Sequence, residues 1–201
     1  MLFLKNWQIF RKGPFEFTMT LEQKLTSLIE NDREFHEIFN ILREMKLTNA
    51  FICAGAIRDL VWNTNEAKPH SLVLGNIDIY YNDPNETYEQ YLTKKAELNH
   101  RYSKYLWELT NTALKNSRTP TSNNMEDVIA SFPETCSAVG ICRSPAETIE
   151  IIAPYGLEDL FAEKICPTPK YKLENSAETF EQRVTRKKWL ENYANAQLVI
   201  K

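Results

Sequence analysis

Glycine is scarce in this chain, with five in 201 residues, which leaves little material for flexible linkers between domains. No CxxC pair occurs among its four cysteines, Cys53, Cys136, Cys142 and Cys166, and none has a histidine at zinc-ligand spacing. The three histidines, His36, His70 and His100, are scattered. Buried, reduced thiols in a cytoplasmic protein are therefore expected. No hydrophobic run approaches membrane-spanning length. The apolar stretch in Met1-Leu2-Phe3-Leu4-Lys5 is too short for a signal-peptide core, and no small-residue cleavage site follows it. These absences predict a soluble, cytoplasmic protein with no membrane partner. Charge of one sign is not in excess either. A net charge of −3 argues against bulk electrostatic binding of nucleic acid, though not against a local basic face. There is no internal repeat and no low-complexity tract.

What is present suffices for one hydrophobic core. A single domain is expected over 1–201: an arm at 1–18, a helical lead-in at 20–46, a core at 51–165 and a C-terminal helix at 175–192. The arm alternates aromatics (Phe3, Trp7, Phe10, Phe15, Phe17) and closes at Gly13-Pro14. Thr20 with Gln23 resembles a capping box, followed by Leu21, Leu25, Leu28 and Ile29 at helical spacing. A second helix is expected from near Asp32, carrying Phe35, Ile38, Phe39, Leu42 and Met45.

Residues 51–54 form an apolar run fit for a buried strand, and Ala56 to Asn63 suits a helix. A strand is expected over Leu72 to Tyr81, then a turn at Asn82-Asp83-Pro84-Asn85. Tyrosine-rich helical sequence is expected to about Asn116, then a polar loop (Ser117 to Asn124) and a short helix ending near Phe132. Ala138 to Arg143 and Thr148 to Ala153 read as a hairpin around Ser144-Pro145-Ala146. A helix is expected over Leu157 to Ile165, and a last one around Ala177 to Asn192. This order of elements predicts an α/β (α+β) fold: a small mixed sheet flanked by helices, with helical additions at both ends.

The chemistry concentrates at two places. Gly55 ends the first strand and begins a helix; without a Cβ it lets an anion approach the helix N-terminus, whose amides and dipole favour negative charge. On the following strand, Asn76 and Asp78 project from one face about 6–7 Å apart. Oxygen ligands at that spacing suit one or two Mg²⁺ ions, which also take substrate phosphates, as two-metal phosphoryl transfer requires. Glu150, between Ile149 and Ile151, is a third acid in a strand-like run. The three side chains are expected to converge beside the glycine turn.

Gly55-Ala56-Ile57-Arg58-Asp59 resembles the glycine-glycine-x-valine-arginine-aspartate motif of tRNA CCA-adding enzymes. Glycine, helix, acid-x-acid strand and later acidic strand together resemble the DNA polymerase β nucleotidyltransferase superfamily. More closely, the chain is similar to a family of small bacterial nucleotidyltransferase-like proteins over roughly residues 30–192. That likeness runs through Ala54 to Asp59 with Trp62, then Tyr81-Asn82-Asp83, Trp107 and Asn111-Thr112-Ala113. It continues through Phe132-Pro133-Glu134-Thr135 with Val139-Gly140. The run Ala153-Pro154-Tyr155-Gly156-Leu157-Glu158-Asp159-Leu160-Phe161 is its most specific part, and the tail Arg183, Arg186, Lys187, Trp189 ends it.

The resemblance implies nucleotidyl transfer from an NTP with Mg²⁺ or Mn²⁺, to an acceptor that is a small molecule, a protein or RNA. Asp78 and Glu150 would be catalytic and bind metal, with Asn76 a weakened third ligand. Gly55, Ala56 and Arg58, with Asn76, would hold the nucleotide. The family pattern implies aspartate at both strand positions, and this chain has Asn76 at the first. Thr112, Leu114 and Asn116 depart too, standing where the family shows polar or basic side chains. A catalytically degenerate module for binding nucleotide or protein is the alternative. A third is RNA binding through Arg186 and Lys187, within the basic run Arg183, Arg186, Lys187 and Lys188.

Overall fold

The computed structural model describes residues 19–47, 49–114, 122–173 and 179–200. The expected arm at 1–18, Asn116, most of the polar loop after it and the start of the expected C-terminal helix lie outside these residues.

Two helices open the described chain. Helix α1 (Leu21–Asn31) begins with a reciprocal cap: Gln23 donates its backbone N–H to the Thr20 hydroxyl, and Gln23 accepts from the Thr20 N–H. Helix α2 (Arg33–Glu44) starts at Asp32, whose carboxylate accepts from the Glu34 and Phe35 amides. Its apolar stripe, Phe35, Ile38, Phe39, Ile41 and Leu42, is buried, because three- and four-residue spacing places these side chains on one face.

Five strands form the main sheet: β1 (Phe51–Cys53), β2 (Asn76–Tyr81), β3 (Leu106–Asn111), β4 (Gly140–Arg143) and β5 (Ile149–Ile152), in the order β3-β2-β1-β4-β5. β2 and β3 are parallel and the other pairings antiparallel. Helix α3 (Gly55–Asn65) follows β1 directly. Helix α4 (Tyr88–Arg101) supplies the crossover that a parallel pair needs. A short helix α5 (Met125–Ala130) precedes the β4–β5 hairpin.

Alternation divides this sheet into two faces. On one, Ile52, Ile77, Ile79 and Ile141 are fully buried against the helices, each stabilising the fold by roughly 2 kcal/mol. On the other, α5 lays Val128 and Ile129 over Cys53, with Phe132 and Ala138 beside them. Gly140 permits that approach: a Cβ there would meet Ile129 Cδ1 at 2.5 Å.

Several expected boundaries move. Leu72–Leu74 is a 3₁₀ turn, so β2 is shorter than the run Leu72 to Tyr81. The helical stretch expected to reach Asn116 stops at Arg101, and β3 takes its place. Only Glu158–Phe161 of the expected helix at 157–165 is helical (α6), and β6 (Lys164–Ile165) pairs with β7 (Gln197–Leu198). A five-residue helix α7 (Pro169–Leu173) comes next. The C-terminal helix is two, α8 (Phe180–Lys187) and α9 (Trp189–Asn192), broken where Lys188 adopts a left-handed φ of 55°. Among the described residues, no helix is long and apolar enough to cross a membrane.

Candidate active site

A cleft of about 500 Å³ opens where β1 passes into α3. Its walls are Ala54 and Gly55 at the turn, Asn76, Asp78 and Tyr80 on β2, Pro133 and Glu134 after α5, and Arg183 and Lys187 on α8.

The strained residue of the turn is Ala54, one position before Gly55. Ala54 sits at φ 56°, ψ −117°, a region that disfavours any side chain. Gly55 is not in positive φ; it is the first residue of α3. A Cβ at Gly55 would meet nothing nearer than Arg58 Nη2 at 3.8 Å, an ordinary contact. Neither backbone conformation nor packing requires glycine there, so what it provides is open space in front of the helix. No side chain caps α3, leaving its first-turn amides directed at the cleft. Ala56 has a buried side chain and offers only its backbone amide.

Asp78 faces the cleft from mid-β2, and Asn76 stands at the exposed start of that strand. The expected third acid does not join them. Glu150 pairs with Cys142 on the far side of the sheet, three strand spacings or roughly 14 Å from β2. It lies on the same sheet face as Asp78, but α5 and its apolar contacts fill the space between. Glu150 approaches Cys142 Sγ at 3.7 Å instead.

The acid that does stand beside Asp78 is Glu108. It is the Cα partner of Asp78 across the parallel β2–β3 pair, and directly paired residues share a face about 4.8 Å apart. Burial, and then the Glu108 carboxylate, push Asp78 up from 3.8 to about 6, against the pull of Lys187 and Arg58. Sequence reasoning missed Glu108 by extending α4 through it. The alternation of buried Trp107, Leu109 and Asn111 with exposed or half-buried neighbours was the available signal.

Each nitrogen of the Arg58 guanidinium donates a hydrogen bond within the protein. Its Nε and Nη2 donate to Asp59 Oδ1 at 3.1 and 2.7 Å, and Nη1 donates to the Ser137 hydroxyl at 3.1 Å. Its guanidinium lies 4.5 Å from the Trp189 ring centre and 5.4 Å from that of Trp62. Glu134 is 1 % exposed and pairs with Arg183 Nε. Asp83 accepts from the Asn85 amide at 3.0 Å and so belongs to the turn. Of the basic run near the C-terminus, Arg183 and Lys187 line the cleft. Burial, then the charges of Arg183, Arg58 and Arg186, lower the Lys187 pKa.

Among the described residues no group of three His, Cys, Asp or Glu side chains is arranged to hold a metal ion. Asp78, Glu108 and the neutral oxygen of Asn76 nevertheless fit an ion that takes part of its shell from phosphates. Glu108 already lies 3.7 Å from Lys95 Nζ; Asp78, destabilised in its charged form by burial and then by Glu108, is the carboxylate that a further cation would relieve.

Solved structures share this fold. An NMR structure described as revealing a CCA-adding enzyme head domain is 26% identical, with a TM-score of 0.77, covering 89% of this chain and 96% of that one. A CCA-adding enzyme in complex with CTP has a TM-score of 0.57 at 15% identity, covering 87% of this chain and 43% of that one. An apo form of a CCA-adding enzyme has a TM-score of 0.50 at 15% identity, covering 88% and 44%. This chain therefore spans under half the length of those two enzymes. No curated protein sequence matches it. The nucleotidyltransferase family profile matches residues 40–198, so by sequence and by fold the chain belongs to the nucleotidyltransferase family.

Proposed function

We propose that the protein transfers a nucleoside monophosphate from a nucleoside triphosphate to an acceptor hydroxyl within this cleft. One observation carries the reading: Asp78 and Glu108 are paired in register beside the uncapped, glycine-opened start of α3. The CTP held by a CCA-adding enzyme of the same fold supports a nucleotide as the ligand.

The phosphates lie against the first-turn amides of α3, in the space that Gly55 leaves open. Asp78 and Glu108, with Asn76, would hold Mg²⁺ or Mn²⁺, which supplies neutralisation of phosphate charge. Glu108, half exposed at the sheet edge, accepts the proton of the acceptor hydroxyl. The freed oxygen attacks the α-phosphorus, the bond from that phosphorus to the bridging oxygen breaks, and pyrophosphate leaves.

Turnover of α-labelled NTPs tests this. Glu108→Gln is expected to lower turnover about a hundredfold or more, whereas Glu150→Ala, across the sheet, leaves it unchanged. The opposite pattern would remove Glu108 from the reaction and restore Glu150.

Asn76 favours a second reading, a module that binds nucleotide without reacting it. An asparagine ligand keeps an oxygen but removes a charge, and ligand charge tunes metal affinity. Turnover that appears only in Asn76→Asp would establish this lapsed state; native turnover excludes it.

A further inference from the structure

We infer that Lys187 of the C-terminal helix α8, rather than Arg58, is the cation that meets the nucleotide's phosphates, and that Arg58 is the clasp holding Lys187 in place. The inference rests on the nucleotide site proposed above and assigns it a residue that the glycine-arginine-aspartate motif does not suggest.

Three basic side chains line the cleft: Arg58, Arg183 and Lys187. Arg58 is 8 % exposed, and each of its three nitrogens already donates to Asp59 or Ser137. Turning toward a phosphate would abandon Asp59 and the Trp62 and Trp189 faces together, leaving a half-buried carboxylate without its cation. Arg183 is committed through Nε to the buried Glu134. Lys187 makes no ion pair with any described residue, yet its charge acts on Asp78 across the cleft. A cation that lines the same cleft as Gly55 and Asp78 is placed to bind a polyphosphate as a point charge.

The position of Lys187 follows from the break after it. Lys188 takes φ 55°, and that left-handed turn drops Trp189 onto the Arg58 guanidinium at 4.5 Å. Trp189 is 4 % exposed. The motif arginine therefore holds the start of α9, directly after α8, while Lys187, two residues before the stacked tryptophan, lines the cleft. The C-terminal helices complete the site and do not merely cover the core.

The test is equilibrium binding of inorganic tripolyphosphate and of ATP, each with and without Mg²⁺, to the full chain and to Lys187→Ala, Lys187→Arg and Asp78→Asn. Lys187→Ala should weaken tripolyphosphate and ATP about tenfold without Mg²⁺, while melting with the native protein because the side chain lines an open cleft and makes no ion pair with a described residue. Lys187→Arg should restore most of that loss. If Lys187→Ala binds both as tightly as the native protein while Asp78→Asn loses the Mg²⁺-dependent gain, the nucleotide site stands and the Lys187 assignment is overturned. If the native protein binds neither ligand, the site and the assignment fall together.

Discussion

Asp78 and Glu108 face each other across parallel strands in direct register, so one face of the sheet edge carries two adjacent carboxylates. The arrangement opposes stability. Asp78 rises from 3.8 to about 6 through burial and the charge of Glu108, which is worth about 3 kcal/mol at neutral pH.

The sign fixes the first expected outcome. Below about pH 4 Asp78 is protonated in both folded and unfolded chains, and its contribution is neutral. As pH rises from about 4 to 6 the unfolded chain releases the proton first, and stability falls. Asp78→Asn should therefore raise the melting temperature at pH 7.5 and change it little at pH 4. The same substitution should abolish the Mg²⁺-dependent part of nucleotide binding. Thermal melts across pH check the first statement, and a variant no more stable than the native protein at pH 7.5 contradicts it.

Gly55→Ala separates the structural and ligand roles of the turn. The added Cβ meets only Arg58 Nη2 at 3.8 Å, and alanine is the better helix former. The variant should be as stable as the native protein or slightly more so. A methyl group in front of the first-turn amides should nevertheless weaken NTP binding about tenfold. Unchanged affinity, measured by calorimetry, would mean that phosphate does not approach this backbone.

Ala54→Gly addresses the residue beside it. Ala54 occupies φ 56°, ψ −117°, which costs about 1–3 kcal/mol for a side-chain-bearing residue. Glycine gives up roughly 0.5–1 kcal/mol in unfolded-chain entropy and relieves the strain. A net gain of about 1 kcal/mol is expected, read as a higher urea midpoint with an unchanged slope.

These elements also show where sequence reading succeeds. The cap at Thr20, the start of a helix near Asp32, the β1-to-α3 turn and the β4–β5 hairpin were legible because local hydrogen bonding and short-range periodicity specify them. Asp78 was legible as a lone acid among isoleucines. The partner of Asp78 was not, because strand order is a long-range property. Glu150 and Glu108 each sit as an acid between apolar neighbours in a short strand. Only the parallel crossover through α4 brings Glu108 next to β2, while α5 walls off Glu150. Arg58 looked like a phosphate ligand for a related reason: the stacking of Trp189, 131 residues later in the chain, depends on a left-handed break at Lys188 that local composition does not announce.

Arg58→Lys tests how the C-terminal helices are held. Lysine keeps the charge but cannot donate to Asp59 and Ser137 together through a planar fork, and it stacks poorly between Trp62 and Trp189. Because Arg58 is buried and its partners remain, the substitution should destabilise the protein by about 2–3 kcal/mol, lowering the melting temperature by roughly 5–10 °C. The loss should be local first. Limited proteolysis should cut within Phe180–Asn192 sooner than elsewhere, since Trp189 loses its seat on the guanidinium. Polyphosphate affinity should fall alongside, because Lys187 is carried on the same segment, although the substituted side chain retains its positive charge. A variant that resists protease like the native protein but loses affinity would instead make Arg58 a direct phosphate ligand. One that keeps both would show that Phe180, Val184, the Glu134–Arg183 pair and the Lys68–Asn192 hydrogen bond anchor α8 and α9 without Arg58.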